Sequence, residues 1–220
     1  MSSLGSMAFK RIAVPLAVLA ALTGAHAGPV EDAVGELQHG WEVIRYQTPA
    51  KEREQRYAQL AARAHQISQS LPGRSEPLVW EGIIISSWAG ESGGLGALSK
   101  AKQARALYEN AISIDPRSLE GSAYNSLGVL YYKVPGWPIG FGDKGKAEAS
   151  LKKALEINPN GIDPNFFYGE FLFEQKRAAE ALPYLEKALA AGPWRGRQIA
   201  DAGRRDEARE LMEKARAAGR

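Results

Sequence analysis

No cysteine occurs anywhere in the 220 residues. That excludes a disulfide framework, thiolate metal sites and cysteine nucleophiles, and it leaves no thiol to carry a lipid. Histidine is nearly as scarce. Of the three present, His26 falls in an N-terminal leader, while His39 and His65 stand alone, without cysteines or carboxylates at ligand spacing, so no metal site is expected. A strong charge of one sign is missing too: 28 Lys and Arg face 25 Asp and Glu, and setting aside Lys10 and Arg11 leaves 26 against 25, a net charge of +1. So weak a field gives no general attraction to nucleic acid. Beyond the leader, no long apolar run occurs.

The leader itself has three parts. Lys10 and Arg11 precede the apolar run Ile12 to Leu22, and Ala25, His26 and Ala27 follow, which is the pattern of a secretory signal peptide. The run has eleven residues, whereas a helix needs about 20 to span hydrocarbon. Residues 1–27 are therefore expected to be removed. Residues 28–220 then form a single soluble domain with one continuous core and no transmembrane segment, most readily placed in a bacterial periplasm.

What the chain does contain is repetition. Ala147, Leu151, Ala154 and Pro159 recur thirty-four residues later as Ala181, Leu185, Ala188 and Pro193. Upstream, Ala104, Tyr108, Ala111 and Pro116 form the same phrase, and Ala208, Met212 and Ala215 echo it near the C-terminus. A unit of this length is one helix-turn-helix, too small to bury its own apolar face, so it must stack on its copies. Small residues let paired helices approach, and proline ends the second helix because it lacks an amide hydrogen. Tyr124, Leu127, Gly128 and Tyr131 supply the first half of the unit that ends at Pro159. With these residues the chain resembles the tetratricopeptide-repeat family. The resemblance implies an all-α, tetratricopeptide-repeat-like helical solenoid of antiparallel helix pairs, with about four repeats and a short C-terminal capping unit. The first repeat reads as degenerate, because Leu60 and Ile67 stand where alanines are expected.

Two insertions break the regular spacing. Gly82 to Ala104 is twenty-two residues and Gly128 to Ala147 nineteen, where the regular unit Gly169 to Ala181 has twelve. The added segments, Ala89 to Leu98 and Lys133 to Gly145, are rich in turn formers and predict two loops. Equivalent loops of stacked units emerge as neighbours, on the order of 10 Å apart. They should meet in a Gly- and aromatic-rich rim.

Catalytic signals are weak. Residues Gly140 to Lys146 match GxGxxG and the start of a P-loop, but Ala147 replaces the magnesium-holding hydroxyl and the preceding Val134-Pro-Gly-Trp-Pro138 cannot be a central strand. The plain reading is a loop ending in Asp143 as a helix N-cap. Ser86, Ser87 and Ser92 lie in no nucleophile motif. Neither an enzyme, nor a catalytic residue, nor a cofactor is expected. The charged run Arg195 to Arg220 reads as a solvated helix face, and Trp41, Trp80 and Trp194 as packing residues. Phe167 and Phe171 are assigned to the core between helices, and Phe166 and Phe173 to a second face.

The tetratricopeptide resemblance implies a concave groove lined by Val79, Ile83, Ser86 and Ser87, by Asn125, Val129, Tyr132 and Lys133, and by Phe166, Glu170, Phe173 and Glu174. Such a groove is apolar and aromatic with few charges, suited to a protein partner or a small amphipathic ligand. Trp88, Trp137 and Phe141 are added as rim residues, giving the candidate binding set Trp88, Asn125, Tyr132, Lys133, Trp137, Phe141, Phe166 and Phe173. Finer still, the PGWPxxFGDKxKA loop at 135–147 and the IIISSWAG segment at 83–90 resemble T-component proteins associated with tripartite ATP-independent periplasmic (TRAP) transporters. That resemblance implies an adaptor contacting a periplasmic substrate-binding protein, although the chain lacks the lipid-attachment cysteine of lipoprotein members. A scaffold for cell-envelope complexes, using outer faces and leaving the groove empty, is the other reading.

Overall fold

A computed structural model describes residues 28–193 and 196–219. The signal-peptide reading of residues 1–27 and the packing role given to Trp194 lie outside the described residues. Within them the chain is all-α: α1 (Pro29–Gln47), α2 (Ala50–Ser70), α3 (Ser75–Ser92), α4 (Gly94–Ile114), α5 (Ser122–Lys133), α6 (Lys144–Ile157), α7 (Ile162–Glu174), α8 (Ala178–Ala190) and α9 (Gln198–Ala218). A single 3-10 turn, Ser118–Gly121, precedes α5. No strand forms among the described residues, where one isolated bridge joins Gly136 and Gly142. None of the described helices is long and apolar enough to cross a membrane.

Helices pair as α1/α2, α3/α4, α5/α6 and α7/α8, and each pair stacks on the next. The repeated phrase is the buried stripe of each second helix: Ala104, Tyr108 and Ala111 in α4, Ala147, Leu151 and Ala154 in α6, Ala181, Leu185 and Ala188 in α8. Positions i, i+4 and i+7 lie on one helical face, so three residues suffice to define it. The stripe docks on a glycine of the preceding helix. A Cβ added at Gly82 would come within 2.5 Å of Tyr108, one at Gly128 within 2.7 Å of Leu151, and one at Gly169 within 2.9 Å of Leu185. Each pair is therefore in contact at a depth only glycine permits. Prolines Pro72, Pro116 and Pro159 each sit directly after the C-cap of a second helix, at Leu71, Asp115 and Asn158 respectively.

The expectations are refined at three places. The first unit departs from the pattern of the others: α2 buries Tyr57, Ala61 and Ala64 at an i, i+4, i+7 spacing, but the residue against the first-helix glycine lies outside that stripe. Its large residue leads and its alanines follow, a register that matching alanine to alanine overlooks. Leu60 instead packs on Gly40 of α1, 2.9 Å from a Cβ placed there.

The first insertion is not a loop. α3 and α4 lengthen to 18 and 21 residues and absorb it, leaving Gly93 between them at φ +63 and Gly94 at +59, values that glycine alone adopts freely. The second insertion does form a loop, Val134 to Asp143, and it meets the start of α4, where a Cβ on Gly140 would lie 3.4 Å from Leu98. The rim exists, built from one loop and one helix end.

The C-terminal capping unit is one helix where the other units have two. α9 runs 21 residues, packs on α7 and α8, and returns to α1. The amide of Ala200 donates to Glu42 Oε2 (3.0 Å), Arg45 pairs with Glu207 (2.8 Å), and the Gly203 backbone lies close against the Tyr46 ring. The last helix thus touches the first, and the stack closes around a concave interior.

The glycine contacts generate a direct test. Replacing Gly128 by Val pushes two methyls into Leu151 and towards the Ala147 carbonyl, 3.2 Å away, and is expected to cost about 2–3 kcal/mol of overpacking. The midpoint of urea unfolding should fall accordingly, whereas Gly35→Val, with nothing within 4 Å of its Cβ, should leave it unchanged or slightly raised, since valine is no worse a helix former than glycine.

Candidate functional site

The concave interior is a cavity of about 1050 Å³, at the upper end of small-molecule sites. First helices of the pairs line it at i, i+3, i+4, i+7 spacing: Ser122, Asn125, Ser126, Val129 and Lys133 from α5; Asp163, Phe166, Phe167 and Glu170 from α7. Trp80, Ile83, Ser86 and Ser87 of α3 continue the wall, with Trp41 and Arg45 of α1. The elongated start of α4 adds Ala97, Leu98 and Ala101, and the second insertion adds Val134, Pro135 and Ile139 at the mouth. One floor is apolar. The facing wall, from α9, brings Arg204, Glu207, Glu210, Leu211 and Lys214, with Arg197 at its N-terminal edge.

That wall is where the sequence reading fails most. Arg197 and Arg204 are both buried, not part of a solvated face. Arg204 Nε donates to Asp163 Oδ1 (3.0 Å), its Nη1 to Glu207 Oε2 (2.5 Å), and its guanidinium lies over Phe166 (4.6 Å) and Phe167 (4.3 Å). Arg197 reaches Asp163 Oδ2 at 3.4 Å. Burial works against the charge on Arg204, but Tyr46 and the carboxylates of Asp163, Glu207 and Glu170 outweigh it and raise its pKa. Burial likewise opposes ionisation of Asp163, yet Arg204 and Arg197 hold its carboxyl below the ordinary 3.8. The groove is therefore not poor in charge; the charges beside α7 are paired, while Glu210 and Lys214 line it without an ion pair. On the α5–α7 side Lys133 bridges Glu170 (3.1 Å) and Glu174, and Tyr132 donates to Glu170 at 2.5 Å. Burial, then the neighbouring Glu170, pushes the Tyr132 phenol well above its usual range.

Of the eight residues singled out from sequence, the structure brings Asn125, Lys133 and Phe166 to the cavity wall. Tyr132 lies behind it, its ring 5.6 Å from Phe171. Phe173 is partly buried against the core and Trp88 half-buried beneath Lys100, whose Nζ sits 4.2 Å over its ring. Phe141 packs edge-on to Tyr131 (6.0 Å) under Arg105 (4.9 Å). None of these five, Trp137 included, lines the cavity, and Trp137 is 90% exposed on the loop. Val79 and Glu174, given by the resemblance, also lie off the wall, since Val79 is fully buried behind it. In the other direction, Phe167, read as core, lines the cavity with Trp41 and Trp80, whose rings meet at 6.0 Å. Asp163 shares a helical face with Phe166 and Glu170, a spacing that could have found it. Arg204 and Glu207 carry no such local sign.

The glycine-rich segment is not a phosphate cradle. Gly140 and Gly142 close the loop on itself: a Cβ on either would strike the Pro135 or Val134 carbonyl, and the Gly142 amide donates to Pro135 O at 2.9 Å. Asp143 does cap α6, accepting from the Lys146 amide at 3.0 Å. Lys146 Nζ stands 5.7 Å over the Tyr131 ring. Among the described residues no group of three or more His, Cys, Asp or Glu is arranged to hold a metal ion.

Residues 139–160 match the family model for the tetratricopeptide repeat. Among solved structures, TTC0263, a thermophilic TPR protein of Thermus thermophilus, is similar over 83% of this chain and 89% of its own, at 19% identity and a TM-score of 0.55. MamA of AMB-1 aligns over 86% and 95% at 19% identity and a TM-score of 0.47, and PilF of Pseudomonas aeruginosa over 86% and 90% at 12% and 0.36. No curated protein matches the sequence. The fold is that of a tetratricopeptide-repeat solenoid.

The Asp163 pairing has a pH signature. Because its folded pKa is depressed, its stabilising contribution is present above the unfolded value near 3.8 and is lost as pH falls through the folded value below that. The stability difference between the wild type and Asp163→Asn should be full at neutral pH and shrink towards zero on acidification below that range, in urea midpoints taken across a pH series.

Proposed function

We propose that this chain is a non-enzymatic binding protein whose closed concave groove takes a protein partner or a small amphipathic ligand. One observation carries the reading: a cavity of about 1050 Å³ with an apolar floor from four first helices and one wall of charges, paired beside α7. Apolar surface supplies affinity, and a few placed polar groups supply orientation. On the α5 side Asn125 lines the cavity, buried, with its side-chain carbonyl oxygen unpartnered, an acceptor suited to a ligand's donor. The arrangement has no nucleophile with an adjacent base. Ser86 and Ser87 are bonded to the Ile83 carbonyl, and Ser87 also accepts from the Trp41 indole at 2.8 Å.

We further propose export, from the leader, and a place as adaptor of a TRAP-type transporter, with a periplasmic substrate-binding protein as partner. The support is the sequence likeness of the second insertion and of α3, which build the mouth and one wall of the same cavity. A scaffold working through its outer faces remains the competing reading, favoured by the paired state of the groove's charges beside α7.

Ala97 lies half-exposed on the apolar floor, so Ala97→Trp fills the groove without disturbing the helix pairs. Under the groove reading, titration with the cognate substrate-binding protein or with ligand extracted from the purified chain should weaken at least tenfold. Unchanged affinity in Ala97→Trp, at unchanged thermal midpoint, would transfer binding to the outer faces.

A further inference from the structure

The Val134–Asp143 loop presents its largest apolar side chains to solvent. Trp137 is 90% exposed and Ile139 70%, while Ile114, at 41%, is the other large exposed hydrophobe among the described residues. Soluble proteins rarely leave such rings bare without a partner. The loop is not loose. Its two ends are tied by the amide of Asp143 donating to Tyr131 O (2.9 Å) and Gly142 N to Pro135 O (2.9 Å), and its turn by Ile139 N and Gly140 N donating to Gly136 O (both 3.1 Å). Phe141 anchors its base against Tyr131. A rigid, convex wedge tipped by Trp and Ile results, and its folding does not require the tip to be buried.

The charge around the wedge that has no partner is positive. Lys144 and Lys146 follow it directly and are exposed, and neither is ion-paired. Arg105, itself ion-paired with Glu109 (3.2 Å), stands over Phe141 at the base, and unpaired Lys100 over Trp88 on the adjoining helices. The one carboxylate within the loop, Asp143, is committed to capping α6. A chain that is nearly neutral overall thus concentrates unpaired positive charge behind an exposed apolar tip.

We propose that this loop is a membrane-surface anchor, which inserts Trp137 and Ile139 at the headgroup level of an anionic bilayer while Lys144 and Lys146 bind the lipid phosphates. Tryptophan favours that interface because its ring is apolar and its N–H polar, and basic residues add attraction to anionic leaflets. A protein partner fits less well. Trp137 offers on the order of 200 Å², well short of the about 800 Å² per partner of a stable protein interface, and a convex tip matches a deformable surface. Ile139 also stands at the groove's mouth, whereas Trp137 does not line the groove, so Trp137 separates the anchor from what the groove binds.

The test reads Trp137 alone, so that residues 1–27 do not interfere. Emission of the full chain minus that of Trp137→Phe is recorded with vesicles of neutral phosphatidylcholine and with vesicles containing phosphatidylglycerol, each with and without bromine-labelled acyl chains. The difference spectrum should shift to shorter wavelength and be quenched by bromine on the anionic vesicles, and 0.5 M salt should reverse both. Lys144→Gln with Lys146→Gln should weaken the vesicle titration roughly thirtyfold, from about fivefold per basic residue at such a surface. A Trp137 difference spectrum that stays water-like and unquenched on anionic vesicles overturns the proposal and leaves the tip to an acidic protein. Equal insertion into neutral vesicles overturns the part given to the lysines.

Discussion

Three missing side chains set the shape of this molecule. At Gly82, Gly128 and Gly169 the first helix of a pair comes so close to the second that Tyr108, Leu151 and Leu185 are fully buried against bare backbone. Each such residue contributes about 1.5–3 kcal/mol by leaving water, so three of them weigh heavily against the few kcal/mol that separate folded from unfolded chains. Close pairing also decides which face is left over. With the glycine face turned to the second helix, the opposite stripes of α3, α5 and α7 have only each other and the interior to face, and those stripes are the cavity wall.

Curvature alone does not close a stack of four pairs; α9 does. Its apolar contribution is modest, with Ala200, Ala208 and Ala215 buried and Leu211 and Met212 packed partly buried against the core. Polar contacts complete the seat, through Glu42, Arg45, Asp163 and Glu207. A buried guanidinium loses its hydration, which can exceed what a single partner returns. Arg204 has two carboxylates and two aromatic faces, an arrangement suited to its planar, weakly hydrated fork. Lysine could not reproduce it, because a point charge cannot stack on Phe167 and bond both acids at once.

This division explains what could be read from the sequence. The second-helix stripe is local, three residues within one helix, and so it is visible as a repeat in α4, α6 and α8. In α2 the same stripe escapes notice because Tyr57 leads it, and packing cares about summed volume on the face more than about which position is large. The first insertion reads as a loop from its glycines, yet Gly90 lies inside α3 and Gly96 inside α4, both exposed, so the helices carry them at only the propensity cost of a glycine. Asn125, Lys133 and Phe166 were legible as groove residues from helical phase alone. Arg45 and Glu207 were not, since 162 residues separate them and a charged run at helical spacing reads the same whether it meets water or another helix.

If the groove binds as proposed, the electrostatics of the wall also bear on what it would select. Every cation that lines it near α7, namely Arg204, Arg197 and Lys133, already faces a carboxylate. An incoming anion would have to displace Asp163 or Glu170, exchanging one charge-assisted bond for another while losing its own hydration, and so would gain little. An incoming cation meets the same exchange from the other side. Uncharged, mainly apolar surface avoids this cost, gaining from Ile83, Val129, Phe167 and Leu211 by simple removal from water. The paired charges thus act by exclusion: they rigidify the closure of α9 and leave the apolar floor as the part of the cavity with free energy to offer.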